Sequence, residues 1–180
     1  MLTDTGFPRA DAENDFQRAR RRQVAARLAH RLRREPEGVN LLLPLSEVVS
    51  ALGWRREQYL GLRTIRLDTI VGTLDARRDF DRRFRPASGR MRPRWEHLAL
   101  AWRRGEPLPP IEVYRVGDLH FVQDGHHRVS IAIATGQKLI DAYVTEVLTA
   151  VPVHGTPNLA GLGRTHGGQD PDPPARRRRS

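Results

Sequence analysis

Cysteine is absent from this chain of 180 residues. Disulfide bonds, thiolate metal ligands and a cysteine nucleophile are therefore excluded. Long apolar runs are absent too, because Pro44 interrupts Leu41–Leu43 well short of the roughly 20 residues that a transmembrane helix needs. Residues 1–10 lack the apolar core of a signal peptide. These absences predict a cytoplasmic protein that does not contact a membrane.

Lysine is almost absent as well, since Lys138 is the only one among 31 basic side chains. A GC-rich coding sequence explains this preference for arginine, but it does not explain the excess over the 21 acidic side chains. The resulting net charge of +10 favours a polyanionic partner such as nucleic acid. The length allows one domain of ordinary size with tails.

Residues 11–34 predict one basic amphipathic helix that ends before Pro36. Its predicted apolar stripe consists of Val24, Ala25, Leu28, Ala29 and Leu32. The positive outer face is either a solvated surface or a contact with the phosphate backbone of DNA. The candidate nucleic-acid contacts are Arg18, Arg20, Arg21, Arg22, Arg27 and Arg31.

Residues 45–52 predict a short helix, and Arg55–Leu60 predicts a second helix that ends at Gly61. The pair resembles the first part of a helix-turn-helix, although its second helix is shorter than recognition helices usually are. It is therefore either a helical hairpin packed on the core or a DNA-reading motif. Arg63–Leu67 then predicts a strand.

Residues 75–85 alternate arginine with Asp79 and Asp81 and contain two phenylalanines, Phe80 and Phe84. This composition predicts a surface loop that the phenylalanines anchor, and its carboxylates are either solvated or ligands of Mg²⁺. The next helix is predicted over Pro93–Arg104. Its core-facing stripe is Trp95, Leu98, Ala99 and Trp102.

Ile111–Val116 and Leu119–Gln123 alternate apolar and polar side chains around two turn residues, which predicts a β-hairpin. The apolar period becomes helical over His127–Thr135, and Gly136 supplies a left-handed stop. Asp124–Arg128 is therefore a strand-to-helix turn with hydrogen-bond donors at a helix N-terminus. Such a turn is suited to binding anions.

The sequence from Pro110 through this hairpin and turn to the strand at Ile140–Val144 resembles the ParB/sulfiredoxin superfamily domain. The resemblance covers roughly residues 63–147. It implies that Gly125, His126, His127 and Arg128 hold the phosphates of a nucleotide, with CTP, ATP or ADP as the candidates and Mg²⁺ as a further cofactor.

Two departures limit the resemblance. Sulfiredoxins carry their catalytic cysteine after the glycine, where this chain has His126, so sulfinic acid reduction is excluded. Chromosome-partitioning ParB proteins continue with a Glu-Asn-x-x-Arg segment and a helix-turn-helix, whereas proline, glycine and arginine follow Val147 here. A third branch with a similar Asp-Gly-His-His-Arg turn consists of free-serine kinases, which keeps an enzyme interpretation open.

The residues of the turn have alternative roles. Arg128 is either a planar fork for phosphate or a structural ion-pair partner. His126 and His127 point about 100° apart in a helix and are unsuited to chelating one ion, so one would donate to phosphate while the other fixes the turn. No spacing of histidine or other ligand residues in the sequence supports a zinc site. Asp124 is a candidate Mg²⁺ ligand or general base, or else the helix cap.

The predicted fold class is α/β (α+β), with a small mixed sheet that carries helices Pro93–Arg104 and His127–Thr135. The predicted strands are Arg63–Leu67, Ile111–Val116, Leu119–Gln123 and Lys138–Val147. The predicted divisions are a basic helical extension (1–62), a ParB/sulfiredoxin-like domain (63–148) and a disordered tail rich in proline, glycine and arginine (149–180).

Two functions follow from these patterns. The first is a ParB-like nucleotide-binding module that associates with DNA through its basic helix and tail, in a regulatory or partition-related role. The second is a phosphotransferase for a small metabolite such as serine, in which Asp124 activates the hydroxyl. A nucleotide hydrolase is a further enzyme class, and a homodimer is an open arrangement. A nuclease is not favoured, because no carboxylate cluster is recognisable.

Overall fold

The computed structural model describes residues 5–33, 40–75 and 79–151 of the protein. This part of the chain is a mixed α/β fold with a six-stranded sheet and four α-helices. The helices are α1 (Pro8–Leu32), α2 (Leu45–Leu52), α3 (Arg92–Arg103) and α4 (His126–Ala134). The strands are β1 (Leu43–Pro44), β2 (Trp54–Arg66), β3 (Ile70–Thr73), β4 (Ile111–Val116), β5 (Leu119–Asp124) and β6 (Leu139–Thr149).

The strand order across the sheet is β1-β3-β5-β4-β6-β2. β4 and β5 form the predicted antiparallel hairpin, and β6 runs parallel to β4 on its other side. β5 also pairs in parallel with β3. The central position of β5 fixes where its C-terminal end lies, and with it the start of α4. The predicted hairpin, the strand at β6 and the helices α3 and α4 are confirmed.

The prediction of a second helix at Arg55–Leu60 is wrong, because these residues belong to β2. β2 pairs antiparallel with β6 over almost its whole length, so long-range hydrogen bonds override the local preference of arginine, glutamate and glutamine for helix. A helix-turn-helix at residues 45–60 is therefore also excluded. Gly61 has φ of 78° at a break in the β2–β6 register, where it forms a bulge and does not end a helix.

The predicted division between residues 62 and 63 falls inside β2, so the sheet begins within the segment that the sequence assigns to the N-terminal extension. β1 and β3 also add two strands to the four predicted. Gly72 of β3 allows β1 to pair closely, since a Cβ atom there would lie 2.1 Å from the backbone oxygen of Leu43. With two and four residues, β1 and β3 are too short to show the alternation of apolar and polar side chains that identifies a strand in the sequence.

The predicted apolar stripe of α1 is wrong. Val24, Leu28 and Leu32 are 50%, 57% and 77% exposed, and no residue of α1 after Gln23 is buried. The first half of the helix supplies the packing face instead, with Ala12 and Phe16 against Trp95 of α3. Helical spacing identified an apolar stripe, but only the position of α3 decides which part of so long a helix is covered.

The core lies on both faces of the sheet. One cluster joins the α4 face to the loop after β3, where Phe80 and Phe84 are buried as predicted. A second cluster lies under α2, and a third joins α1, α3 and α4. Trp95 is fully buried and donates from Nε1 to Ser130 Oγ at 2.9 Å. It is a core residue, as the helical spacing of α3 predicts.

Within the described ranges, no helix is long and apolar enough to cross a membrane. The predicted tail at 149–180 begins inside β6, which extends to Thr149. Residues 152–180, including the arginines at the C-terminus, lie outside the described residues.

Candidate functional site

The β5–α4 turn is built around Gly125. Its φ of 101° is in the left-handed region, and α4 starts at the next residue, with Val129 N–H donating to Gly125 O at 3.0 Å. A Cβ atom at this position would lie 2.5 Å from Ile111 Cγ2. The turn therefore requires glycine for both its conformation and its close packing on β4.

Arg128 folds back over this turn. Its Nη1 donates to the carbonyl oxygens of Pro109 and Pro110 at 2.6 and 2.5 Å, and its Nη2 donates to Asp124 Oδ2 at 2.5 Å. The side chain is only 13% exposed. These contacts correspond to the structural alternative for Arg128, because they hold the guanidinium against the proline segment before β4. A phosphate that bound the Arg128 guanidinium would share its N–H donors with Asp124.

Asp124 does not cap α4. The N-cap position belongs to Gly125, and the Asp124 carboxylate, 63% exposed, pairs with Arg128. The first turn of α4 therefore has neither a side-chain cap nor an acidic residue of its own. Its backbone N–H groups carry the positive end of the helix dipole and are the natural anion-binding feature of the turn.

The two histidines of the turn are in different environments. His126 is buried, and its Nε2 lies 2.8 Å from Thr73 Oγ1, whose hydroxyl donates to Val122 O at 3.2 Å. Because the Thr73 hydroxyl donates to Val122, the hydrogen between Thr73 and His126 must belong to His126 Nε2. The hydrogen bond from His126 to Thr73 fixes the turn to β3. His127 is half-buried, with its ring edge against Phe80 at a centroid distance of 5.3 Å. Of the pair, His127 is the more accessible to a ligand.

Asp81 organises the loop between β3 and α3. Its carboxylate accepts hydrogen bonds from the backbone N–H groups of Arg83 and Arg85, at 2.9 and 3.0 Å, and from Arg85 Nε at 2.8 Å. Asp81 is buried, so these donors replace water around its charge. No group of three or more histidine, aspartate or glutamate side chains in the described ranges is arranged to hold a metal ion.

Two of the three acidic residues of α1 point inward. Asp11 and Asp15 are buried against Arg103 of α3, whose Nη2 lies 2.5 Å from Asp15 Oδ2 and whose Nη1 lies 3.6 Å from Asp11 Oδ2. Burial opposes ionisation of Asp11, but two hydrogen bonds from Thr5 and the charge of Arg103 lower its pKa below the usual value. Asp11 and Asp15 are thus paired internally, whereas the third acid, Glu13, is partly exposed and lies near Arg9 and Arg92.

The outer face of α1 keeps its arginines. Arg21, Arg22, Arg27 and Arg31 are exposed, whereas Arg18 and Arg20 are half-buried. Arg18 lies 3.8 Å from Asp15, and Arg20 donates to Gln23. Four of the six predicted nucleic-acid contacts therefore project into solvent, and the charge of α1 is segregated into a neutral inner face and a positive outer face.

A groove that the sequence does not reveal lies between α1 and α4. Its volume is about 470 Å³, and its lining includes Arg18 and Arg22 of α1, Arg83 of the loop and Thr135 at the end of α4. It adjoins a second groove of about 840 Å³ that Arg82, Arg83 and Lys138 line. The arginine-rich composition of residues 75–85 is the one sequence signal for these walls.

His120 of β5 is a buried titratable group outside the turn. Its Nδ1 lies 2.8 Å from Thr69 Oγ1, which donates to the carbonyl of Arg66. Burial, with a further contribution from the charge of Arg115, lowers the pKa of His120 to about 4, although Asp118 opposes the shift. His120 is therefore neutral at physiological pH.

Comparison of the chain with protein-family models finds no matching family, and comparisons with curated proteins and with solved structures likewise find no match.

Proposed function

We propose that this protein is a ParB-like nucleotide-binding module that associates with DNA, in a regulatory or partition-related role. The observation that carries the proposal is the charge segregation of α1. Arg103 pairs with Asp11 and Asp15 beneath the helix, so neither of these carboxylates lies among the arginines of its outer face. Such a surface favours the phosphate backbone of DNA, with counterion release as the driving force.

Nucleotide phosphates would bind at Gly125–Arg128. Support comes from the N-terminus of α4, which begins directly after Gly125 and has no acidic residue in its first turn, so the positive end of the helix dipole faces the turn. The His127 imidazole would add a side-chain donor. Arg128 would contribute its charge, and the exposed carboxylate of Asp124, which pairs with Arg128, would contact Mg²⁺ on the phosphates. CTP, ATP and ADP are the nucleotides to test.

The phosphotransferase alternative requires Asp124 as a general base for the hydroxyl of a metabolite. In the structure this carboxylate accepts a hydrogen bond from Arg128, so one of its oxygens is already engaged by a charged partner. No contact among the described residues favours this alternative over the DNA-associated module.

DNA association is tested by a gel-shift titration of duplex DNA over a salt series. Binding through phosphates should weaken steeply as salt rises, with a slope that reports the number of contacts. Replacement of Arg21 and Arg27 by glutamine should reduce that slope by about two, because each phosphate contact contributes about 0.9. Absence of binding by the wild-type protein at low salt would exclude the DNA interpretation.

Nucleotide binding is tested by calorimetric titration with CTP, ATP and ADP at millimolar concentration. His127→Asp should abolish it by placing a negative charge at the turn, where the helix dipole favours that charge in the folded protein. His97→Asp, a change of the same kind at an exposed position of α3, is the matched control. If the wild type binds none of the three nucleotides, the turn is purely structural.

A further inference from the structure

The two adjoining grooves share one wall. Arg83, Phe84, Ile133 and Gly136 line both, so they form one continuous channel, which we call the basic groove. It runs from α1 across the end of α4 to the start of β6, on residues that are separate from the Gly125–Arg128 turn. Three separate segments of the chain supply its cations. The principal ones are Arg18, Arg22, Arg82, Arg83 and Lys138.

The loop wall of the groove is held in a strained conformation. Phe84 has φ of 53°, and among the described residues it is the only one other than glycine with a positive φ. This conformation turns the Phe84 ring into the core while Arg82 and Arg83 remain exposed. A non-glycine residue in this region is strained, and such strain tends to occur where a site is pre-organised.

Arg85 attaches the loop to α1. Arg85 Nη1 donates to the backbone oxygen of Arg22 at 2.9 Å, and the same guanidinium pairs with buried Asp81. Arg85 is therefore a structural residue, and it fixes the distance between the loop arginines and the arginines of α1. The loop arginines and the α1 arginines are therefore held at a fixed separation before any ligand binds.

The carboxylates of the groove pair with only some of its cations. Asp15 and Asp68 are the acids in its lining, and Asp15 pairs with Arg103 and Arg18, whereas Asp68 pairs with Arg66. For Arg22, Arg82, Arg83 and Lys138, the described residues offer no carboxylate oxygen within 4.0 Å. A ligand of complementary charge would therefore meet cations that have not already been neutralised.

We propose that the basic groove seats the sugar–phosphate backbone of duplex DNA, so that the DNA contact continues from the outer face of α1 onto Arg82, Arg83 and Lys138. This inference rests on the proposed DNA association. Cations spread along an open channel fit a repeating phosphate chain better than a compact ligand, which needs convergent groups in an enclosed pocket. The only aromatic side chain in the lining, Phe84, is buried, so a single strand finds no stacking platform.

The test is fluorescence anisotropy with a labelled duplex over a potassium chloride series. The double variant Arg82→Gln/Arg83→Gln should reduce the slope of log affinity against log salt by about two, and Lys138→Gln by about one. The matched control is Arg90→Gln/Arg94→Gln. It removes the same charge from exposed residues outside the groove, and it should leave the slope at the wild-type value.

The outcomes distinguish failure of the groove proposal from failure of the proposed DNA association. In one outcome, the wild type binds duplex DNA with a steep slope of log affinity against log salt while Arg82→Gln/Arg83→Gln keeps that slope. The assignment of the DNA backbone to the groove is then wrong, and DNA association stands. If the wild type binds no DNA at low salt, both fail. Tighter binding of a single strand than of the duplex, with the same slope loss in the variant, would overturn the duplex assignment. Thermal denaturation checks that Arg82→Gln/Arg83→Gln folds as the wild type does.

Discussion

Arg128 Nη2 and Asp124 Oδ2, four residues apart, form a 2.5 Å ion pair across the β5–α4 turn. The same guanidinium donates to the carbonyl oxygens of Pro109 and Pro110. These contacts join the turn to the segment that leads into β4. The arginine that the resemblance assigns to phosphate binding is therefore a clamp of the fold.

Arg128→Ala should lower the free energy of unfolding by about 1–3 kcal/mol, because it leaves two carbonyl oxygens and a carboxylate without their charged donor. The sequence alone predicts little effect on folding. Any nucleotide affinity should also fall by roughly 2–4 kcal/mol, and Arg128→Lys should recover part of both losses. Urea denaturation measures the first effect. Arg55→Ala, at an exposed position of β2, is the control, and an Arg128→Ala midpoint equal to that of the wild type would contradict the clamp.

Gly125→Ala should destabilise the protein by about 3 kcal/mol or more. The added Cβ would lie 2.5 Å from Ile111 Cγ2 and would hold a left-handed backbone that side chains disfavour. Gly89→Ala is the matched control, because nothing lies within 4 Å of its Cβ position. Its effect should stay within about 0.5 kcal/mol. Equal midpoints for the two variants in urea denaturation would show that the turn tolerates a side chain.

Arg103→Met should destabilise the protein by about 3–5 kcal/mol, because it leaves Asp11 and Asp15 buried without their common cation. The neighbouring substitution Arg104→Met removes only an exposed pair with Glu106 at 3.9 Å and should cost at most about 1 kcal/mol. Chemical denaturation of both variants provides the comparison. Similar losses would mean that α1 does not depend on this buried ion-pair cluster for its attachment to α3.

The stability of the protein should depend on His120 between about pH 6.5 and pH 4. The native pKa of about 4 lies below the ordinary value of 6.5, so as the pH falls through this window the unfolded state gains a proton that the native state does not bind. The free energy of unfolding should therefore decrease by about 3 kcal/mol from this residue. His120→Gln should remove that part of the acid loss, whereas His97→Gln, at an exposed position, should not. Unfolding free energies at pH 7, 5.5 and 4 test this, and parallel profiles for the wild type and His120→Gln would contradict it.

Local patterns were sufficient for the centre of the fold. The alternation in β4 and β5 and the change to helical period in α4 locate the hairpin and the strand-to-helix turn correctly. The left-handed conformation of Gly136 after α4, with φ of 75°, is likewise as predicted. These features depend on residues close together in the chain, so the sequence alone predicts them. The same reasoning failed for β2, where pairing with β6 determines the strand, although some 80 residues separate the two.

The sequence by itself determined which residues concentrate charge and chemistry: the arginines of α1 and of the loop, and the turn from Asp124 to Arg128. Only the tertiary structure decided how those groups are used. It turned Asp11 and Asp15 of α1 onto Arg103, closed Arg128 onto Asp124 and the proline carbonyls, and brought the loop arginines beside α1 to form the basic groove. The physical reason is that an ion pair or a groove wall depends on distances between side chains, and packing of remote elements sets those distances.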